Sequence, residues 1–257
     1  MKIIDVHIHA LPYPEPLEKD VKEAALEYYL STGINITHYA CEEDVLRELD
    51  RVKIEKGFIL PRAGKDIKKT NNFVSSLRRT YINGFATLDP NSTEGIEELY
   101  RAIKELGLIG ILFDPNKQEI DFSDQSMWMF MEEVKVLKVP VYIHMDYLDQ
   151  KRINMEDVNE LVTCFSDVNF FFSHFAKYED KDMPSIMPEP NVYYDTSHVP
   201  KRTLENFIEQ YGVDNIIYGS DFKYNFYPEY EIKKIKELDI GEREKEKIFY
   251  FNIYGLI

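Results

Sequence analysis

Cysteine is nearly absent from this chain, with two residues in 257, Cys41 and Cys164. They are far apart and form no CxxC pair. Neither a disulfide framework nor a thiolate zinc motif is expected, and both read as small buried or partly buried hydrophobes. Long apolar runs are missing too: no window approaches the roughly 18 residues that a membrane span needs. The N-terminus carries one lysine and two apolar residues before Asp5. That is not the shape of a signal peptide, and a cytoplasmic protein is expected. Positive charge is short, with 31 Lys and Arg against 46 Asp and Glu, a net charge of -15. Such a surface repels phosphate backbones and anionic lipid, so neither nucleic acid nor a membrane is an expected partner. A local basic site for an anionic small molecule remains compatible with that field.

What is present is a chain rich enough in apolar residues (44%, with 14% aromatic) to bury a large core. Short runs of Val, Ile, Phe and Tyr recur at Lys2–His9, Lys56–Leu60, Tyr81–Leu88, Gly110–Phe113, Val139–His144, Val168–His174, Asn191–Thr196 and Asn215–Tyr218. Each is too short for an amphipathic helix and mostly too continuously apolar for a half-exposed hairpin strand. Helical spacing appears between them, over Glu42–Lys53, Thr93–Leu106, Ser126–Leu137, Asn154–Ser166, Arg202–Tyr211 and Tyr230–Leu238. A Ser-Thr-x-Glu start is read as the cap of the second of these. Strand ends fall roughly 22 to 31 residues apart after a longer first gap, the period that parallel βαβ units require.

The expectation is a (β/α)8 TIM barrel, one domain over 1–257, with a helical and loop insertion after strand 1 at about 10–40 that acts as a partial lid. A doubly wound open sheet is the competitor. It would usually show a glycine-rich turn after strand 1, where this chain has His-Ala-Leu-Pro-Tyr-Pro.

Strand alternation predicts Asp5, His7 and His9 on one side of strand 1. Two imidazoles about 7 Å apart along a strand can tilt toward one ion, yet an HxH pair alone is a weak signal. His144, His174 and Asp221 each close a later strand, the fifth, sixth and eighth. Four of six histidines and an aspartate then meet at the face where this fold builds its sites. Buried polar groups each need a partner, and a shared metal ion satisfies several at once. Donors of this type suit Zn²⁺ best, with Mn²⁺, Fe²⁺ or Co²⁺ able to replace it.

The stretches DVHIHA, HMD, SHFA, DTS and YGSD, together with VLRELDRVKIEKGFIL, TNNFVSSLRRTYINGFATLDPN and IFYFNIYGLI, resemble the amidohydrolase superfamily across essentially the full chain. The closer likeness is to its branch of aminocarboxymuconate-semialdehyde decarboxylase-like enzymes, which also holds lactone and amide hydrolases. The resemblance implies one divalent metal held by His7, His9, His144 and Asp221, with His174 as a catalytic or substrate-facing group. One departure stands out. The branch often has Gly-x-Lys-Leu-His-Pro at strand 4, and here Gly110-Ile-Leu-Phe-Asp-Pro115 stands in its place. A bridging carboxylated lysine and a second metal lose support, and Phe113 is expected to form a different substrate wall.

The main functional expectation is a hydrolase that uses a metal-activated water on a small amide, lactone or ester. Asp221 would take the water's proton, and His174 would stabilise the developing oxyanion. The alternative is a non-oxidative decarboxylase on the same scaffold, with His174 or Asp221 managing the proton that replaces CO₂. Arg62 and His198 are candidate substrate-binding residues, Arg62 for a substrate carboxylate. His38, Lys177 and Lys223 are read as solvated surface. Asp5 is expected to support the strand-1 histidines, and Trp128 to pack in the core or against a second subunit. A homodimer is the default for this fold.

Overall fold

The computed structural model describes all residues except 14, 17–21, 23–24, 27–29, 31–38, 63–65, 146–153, 176–187, 223–227 and 257. Eight strands form one sheet in sequential order, every neighbouring pair parallel: β1 (Ile4–Ile8), β2 (Lys56–Ile59), β3 (Ile82–Thr87), β4 (Gly110–Phe113), β5 (Val141–Ile143), β6 (Phe170–Phe172), β7 (Val192–Asp195) and β8 (Ile216–Ile217). The sheet returns on itself, because the Val6 amide donates to the Tyr218 carbonyl (3.0 Å) and the His9 amide to Phe222 (3.2 Å). Helices lie between the strands and after the last one: α1 (Glu42–Val52), α2 (Ile67–Ser76), α3 (Gly95–Tyr100), α4 (Pro115–Gln118), α5 (Gln125–Leu137), α6 (Met155–Cys164), α7 (Lys201–Tyr211) and, following β8, α8 (Pro228–Lys236). The chain is thus the expected (β/α)8 barrel, and each of the eight strands lies within its predicted run. Most of the insertion, with His38, Lys177 and Lys223, lies outside the described residues, though Lys22, Ala25, Leu26 and Leu30 are helical.

Two apolar layers follow from the closed sheet. Ile4, Val6, Phe58, Leu60, Phe85, Leu112, Tyr142, Phe171 and Ile217 meet in one cluster inside the barrel. Its aromatic rings cross from strand to strand, with Phe85 5.8 Å from Tyr142 and 6.4 Å from Phe171 between centroids. The larger outer cluster packs the other strand faces against the helices. Phe113 belongs there, 6.0 Å from Phe130 of α5, so it forms no substrate wall. The residue that closes β4 toward the strand ends is Asp114.

Strand β1 breaks the predicted alternation. Its register against β2 shifts between Asp5 and Ile8. Val6 faces the inside cluster, yet the His7 ring also meets Tyr142 of that cluster at 5.6 Å. The irregularity therefore changes which residues point inward. Asp5 accepts from the backbone N–H groups of His7 (3.1 Å) and Ser220 (3.0 Å) rather than from an imidazole. It orders the backbone of the strand, and burial pushes its carboxyl up to about 7.

Several helix expectations change. Asp66 caps α2 through the Lys69 amide (2.9 Å). This helix has only a narrow apolar stripe, because Asn71 is one of its buried residues. The predicted Thr93–Leu106 helix starts at Gly95, where a Cβ would overlap the Asp89 carbonyl, and continues after Tyr100 as a π-helical stretch through Glu105. Ser92, not a Ser-Thr cap at the first turn, accepts from the Glu94 amide (3.2 Å). Trp128 is partly buried against the outer core, its Nε1–H donating to the Phe122 carbonyl and its ring 5.7 Å from Phe165. Cys41 is half-buried as expected, whereas Cys164 is exposed at the end of α6. Among the described residues no helix is long and apolar enough to cross a membrane.

Candidate metal centre

Strand ends deliver five histidines and one aspartate to a single basin. His7 and His9 come from β1, His144 follows β5, His174 follows β6, His198 lies in the loop after β7 and Asp221 follows β8. All but His198 are buried residues, and its side chain is only 5% exposed.

Hydrogen bonds fix which nitrogen of each ring is free. His7 Nδ1 lies 2.5 Å from an Asp195 carboxylate oxygen, and His9 Nδ1 lies 2.9 Å from the Leu60 carbonyl. A carbonyl or carboxylate can only accept, so both Nδ1 atoms carry the proton. Both Nε2 atoms then present lone pairs, and they face each other at 3.1 Å. Two acceptors at that distance repel unless a proton or a cation lies between them. The spacing suits one ion, because two nitrogens each about 2.0–2.1 Å from a metal stand about 3 Å apart. His174 is set the same way, with Nδ1 3.1 Å from the Ser197 carbonyl. Its Nε2 is left for the basin.

Asp221 faces these nitrogens with both oxygens. Oδ1 lies 3.4 Å from His7 Nε2 and 3.3 Å from His9 Nε2, and makes no hydrogen bond among the described residues. Oδ2 accepts from His198 Nε2 at 2.7 Å and lies 3.8 Å from His174 Nε2. His144 completes the ring of imidazoles, with centroids 5.5 Å from His7 and 5.0 Å from His174. Its buried Nδ1 also has no hydrogen-bond partner among the described residues. Donor atoms of His7, His9 and Asp221 lie within 4.8 Å of one another, as do those of His7, His144 and His174. Orphaned buried donors and mutually facing lone pairs are what a divalent cation would resolve, so the residues fit one.

The electrostatics agree. Burial would depress His7, but the carboxylates of Asp221 and Asp195 outweigh it and hold its pKa above the ordinary value. Burial would raise Asp221, yet His7, His198 and His9 hold it well below the usual carboxylate range. Burial lowers His144 to about 4 and takes His174 well below its ordinary value.

Asp195, the last residue of β7, organises the layer beneath. Tyr142 OH (2.5 Å), the Ser197 amide (2.6 Å) and Ser197 Oγ (2.8 Å) all donate to it, in addition to His7. A Cβ on Gly219 would overlap this carboxylate. Burial opposes its charge, but His7, Tyr142 and Ser197 keep its pKa below the usual value. Sequence reasoning quoted DTS without giving Asp195 a role. An acid closing a buried strand is the signal that would have found it, since it needs several donors.

The substrate-binding candidates separate. His198 is brought into the basin through Asp221. Arg62, just past β2, lies 5.7 Å over the Tyr39 ring and 3.6 Å from Glu15, with its side chain 33% exposed. Asp114, buried at the end of β4, pairs with Lys117 (2.9 Å) and tends to raise the pKa of His144.

Comparison with known proteins adds three findings. The model of a family described as amidohydrolase matches residues 4–255. A curated gamma-resorcylate decarboxylase from Polaromonas sp. strain JS666 is 31% identical over 93 residues, which are 32% of this chain and 28% of that protein. Among solved structures, a dihydroxybenzoic acid decarboxylase from Polaromonas sp. JS666, with bound manganese and the inhibitor 2-nitroresorcinol, superposes with a TM-score of 0.68. It is 18% identical, over 99% of this chain and 96% of that one. A probable 2-pyrone-4,6-dicarboxylic acid hydrolase from Acinetobacter baumannii, with citric acid bound, gives 0.72 at 16% identity, over 100% and 99%.

Proposed function

The chain belongs to the amidohydrolase family, and from that premise we propose a metal-dependent carboxy-lyase that removes CO₂ from a hydroxylated aromatic acid. This reverses the order expected from sequence, which put hydrolysis first. The facing Nε2 atoms of His7 and His9, 3.1 Å apart, carry the metal dependence. The decarboxylase names of the curated relative and of several structural neighbours support the reaction class.

His7, His9, His144 and Asp221 would hold the ion; bound there, it supplies the positive charge that anchors an anionic substrate. Zinc suits the donors, and manganese is the ion bound in the neighbour. Asp195 and the Leu60 carbonyl keep the Nδ1 protons of His7 and His9 in place. His198, donating to Asp221 Oδ2, leaves Oδ1 toward the β1 histidines. Arg62 would meet a substrate carboxylate at the rim.

In the reaction the bond from the ring carbon to the carboxylate breaks, its electron pair stays on the carbon, and a proton takes the place of CO₂. His174 is suited to deliver that proton. Its Nδ1–H stays bonded to Ser197, so Nε2 would take up a proton from the substrate's hydroxyl or a water and pass it to the ring carbon. We read residues 1–257 as one catalytic domain, working as a homodimer.

The test is incubation of the Mn²⁺- or Zn²⁺-loaded protein with 2,6-dihydroxybenzoate, read for resorcinol and CO₂. Release that EDTA abolishes is expected. Lactone hydrolysis is the second reading, favoured by the neighbour at TM-score 0.72. Opening of 2-pyrone-4,6-dicarboxylate, with no CO₂ from any aromatic acid, would overturn the first reading.

A further inference from the structure

The loop after β7 carries two groups that the centre depends on, and it is under strain. His198 holds φ at 58°, a left-handed conformation that a non-glycine residue keeps only when its surroundings impose it. Its Nε2 bonds Asp221, while the carbonyl and hydroxyl of its neighbour Ser197 bond His174 Nδ1 at 3.1 and 2.9 Å. Thr196, Ser197 and Val199 are buried, and the loop's other side borders open space. A cavity of about 340 Å³ lies there, lined by His198, Pro200, Lys201, Tyr230 and Lys233 among others.

One side chain spans that side. Lys234 of α8 sends its ammonium to the Thr196 carbonyl (2.7 Å) and the Val199 carbonyl (2.9 Å), the residues on either side of Ser197 and His198. Its third direction pairs with the buried carboxylate of Glu231, one helical turn earlier. The two side chains are 10% and 4% exposed. We propose that Lys234 is a positioning residue for the metal centre, clamping the Thr196–Val199 loop so that His198 meets Asp221 and Ser197 meets His174. The clamp is polar for a physical reason. The Thr196 carbonyl already accepts from the Val199 amide (3.2 Å), and the ammonium adds a second bond there while serving the Val199 carbonyl at once. Glu231 neutralises the buried cation, and Lys234 does the holding.

This inference rests on the proposed role of the centre, but its test separates the two. In Zn²⁺-loaded, ¹⁵N-histidine-labelled protein, the His198 Nε2–H signal is identified by its loss in His198→Asn. Lys234→Met should lose or shift that signal, whereas Glu231→Gln, which keeps both carbonyl bonds, should retain it. Lys234→Met/Glu231→Gln, which leaves no charge unpaired, serves if the single variant does not fold. With 2,6-dihydroxybenzoate, Lys234→Met should lower kcat about 10²-fold, as misplaced groups do, with KM little changed. An unchanged His198 signal in folded Lys234→Met would overturn the clamp, as would equal loss in Glu231→Gln. A wild type inactive on the aromatic acid overturns the carboxy-lyase reading alone, and the NMR comparison still decides the clamp.

Discussion

The lone pairs on His7 and His9 Nε2 need a cation between them only because Asp195 and Leu60 hold the other two nitrogens protonated. The carboxylate beneath the site is therefore as consequential as the donors above it. Asp195→Asn keeps the shape but can present an N–H to His7 Nδ1, which favours the wrong tautomer. Metal affinity should fall by about 10- to 100-fold, the usual cost of losing a group that orients a ligand, as measured by competition against a chromophoric chelator. Gly219→Ala should do similar damage from the other side, since its methyl group would occupy the space of the Asp195 carboxylate. The HxH pair and the three later strand-end residues were legible in the sequence because strand ends in this fold are where polar residues converge. Asp195 was not, because its meaning depends on His7 and Tyr142, far from it in the chain, and on a nearby serine that residue type alone does not mark.

At the scale of elements, apolar runs announced all eight strands, since a strand buried on both faces has little else in its sequence. Helices were less legible where their buried face is polar. On α2, Asn71 exchanges bonds with both the amide (2.9 Å) and the carbonyl (3.0 Å) of Thr87, and donates to Glu98 (2.8 Å), which itself pairs with Arg101. Periodicity cannot register such a face. Burial works against the charge on Glu98, but Arg101 and Asn71 outweigh it and hold its pKa below the ordinary value. A carboxyl with a lowered folded-state pKa contributes stability that is present above its unfolded value and lost as pH falls through the folded one. The acid limb of a stability profile should flatten in Glu98→Gln. An unchanged slope below about pH 4.5, the region of an ordinary glutamate, would contradict the pairing. The register break in β1 was equally hidden, because residue types alone do not say where alternation fails.

For the whole molecule, the barrel interior and the centre share one support. Tyr142 has its ring among Phe85 and Phe171 and its hydroxyl on Asp195, so core packing reaches the metal ligands through a single side chain. Phe171→Ala should cost about 3–5 kcal/mol of stability, as buried aromatic deletions do, and should loosen metal binding with it. An ion that binds only the folded chain also stabilises it, by about 2.7 kcal/mol at a free concentration 100 times its Kd. Melting in excess Zn²⁺ or Mn²⁺ should therefore run several degrees above melting in EDTA. Equal transitions would mean that no site forms.

The most direct measurement is elemental analysis of the purified protein beside His144→Ala and His9→Ala, each checked for folding by circular dichroism. About one divalent ion per wild-type chain, and little in either folded variant, is the result predicted from one ion shared by these donors. A folded wild type that stays free of metal after dialysis against Zn²⁺ and Mn²⁺, or full retention in His144→Ala, would contradict the metal centre on which the whole account stands.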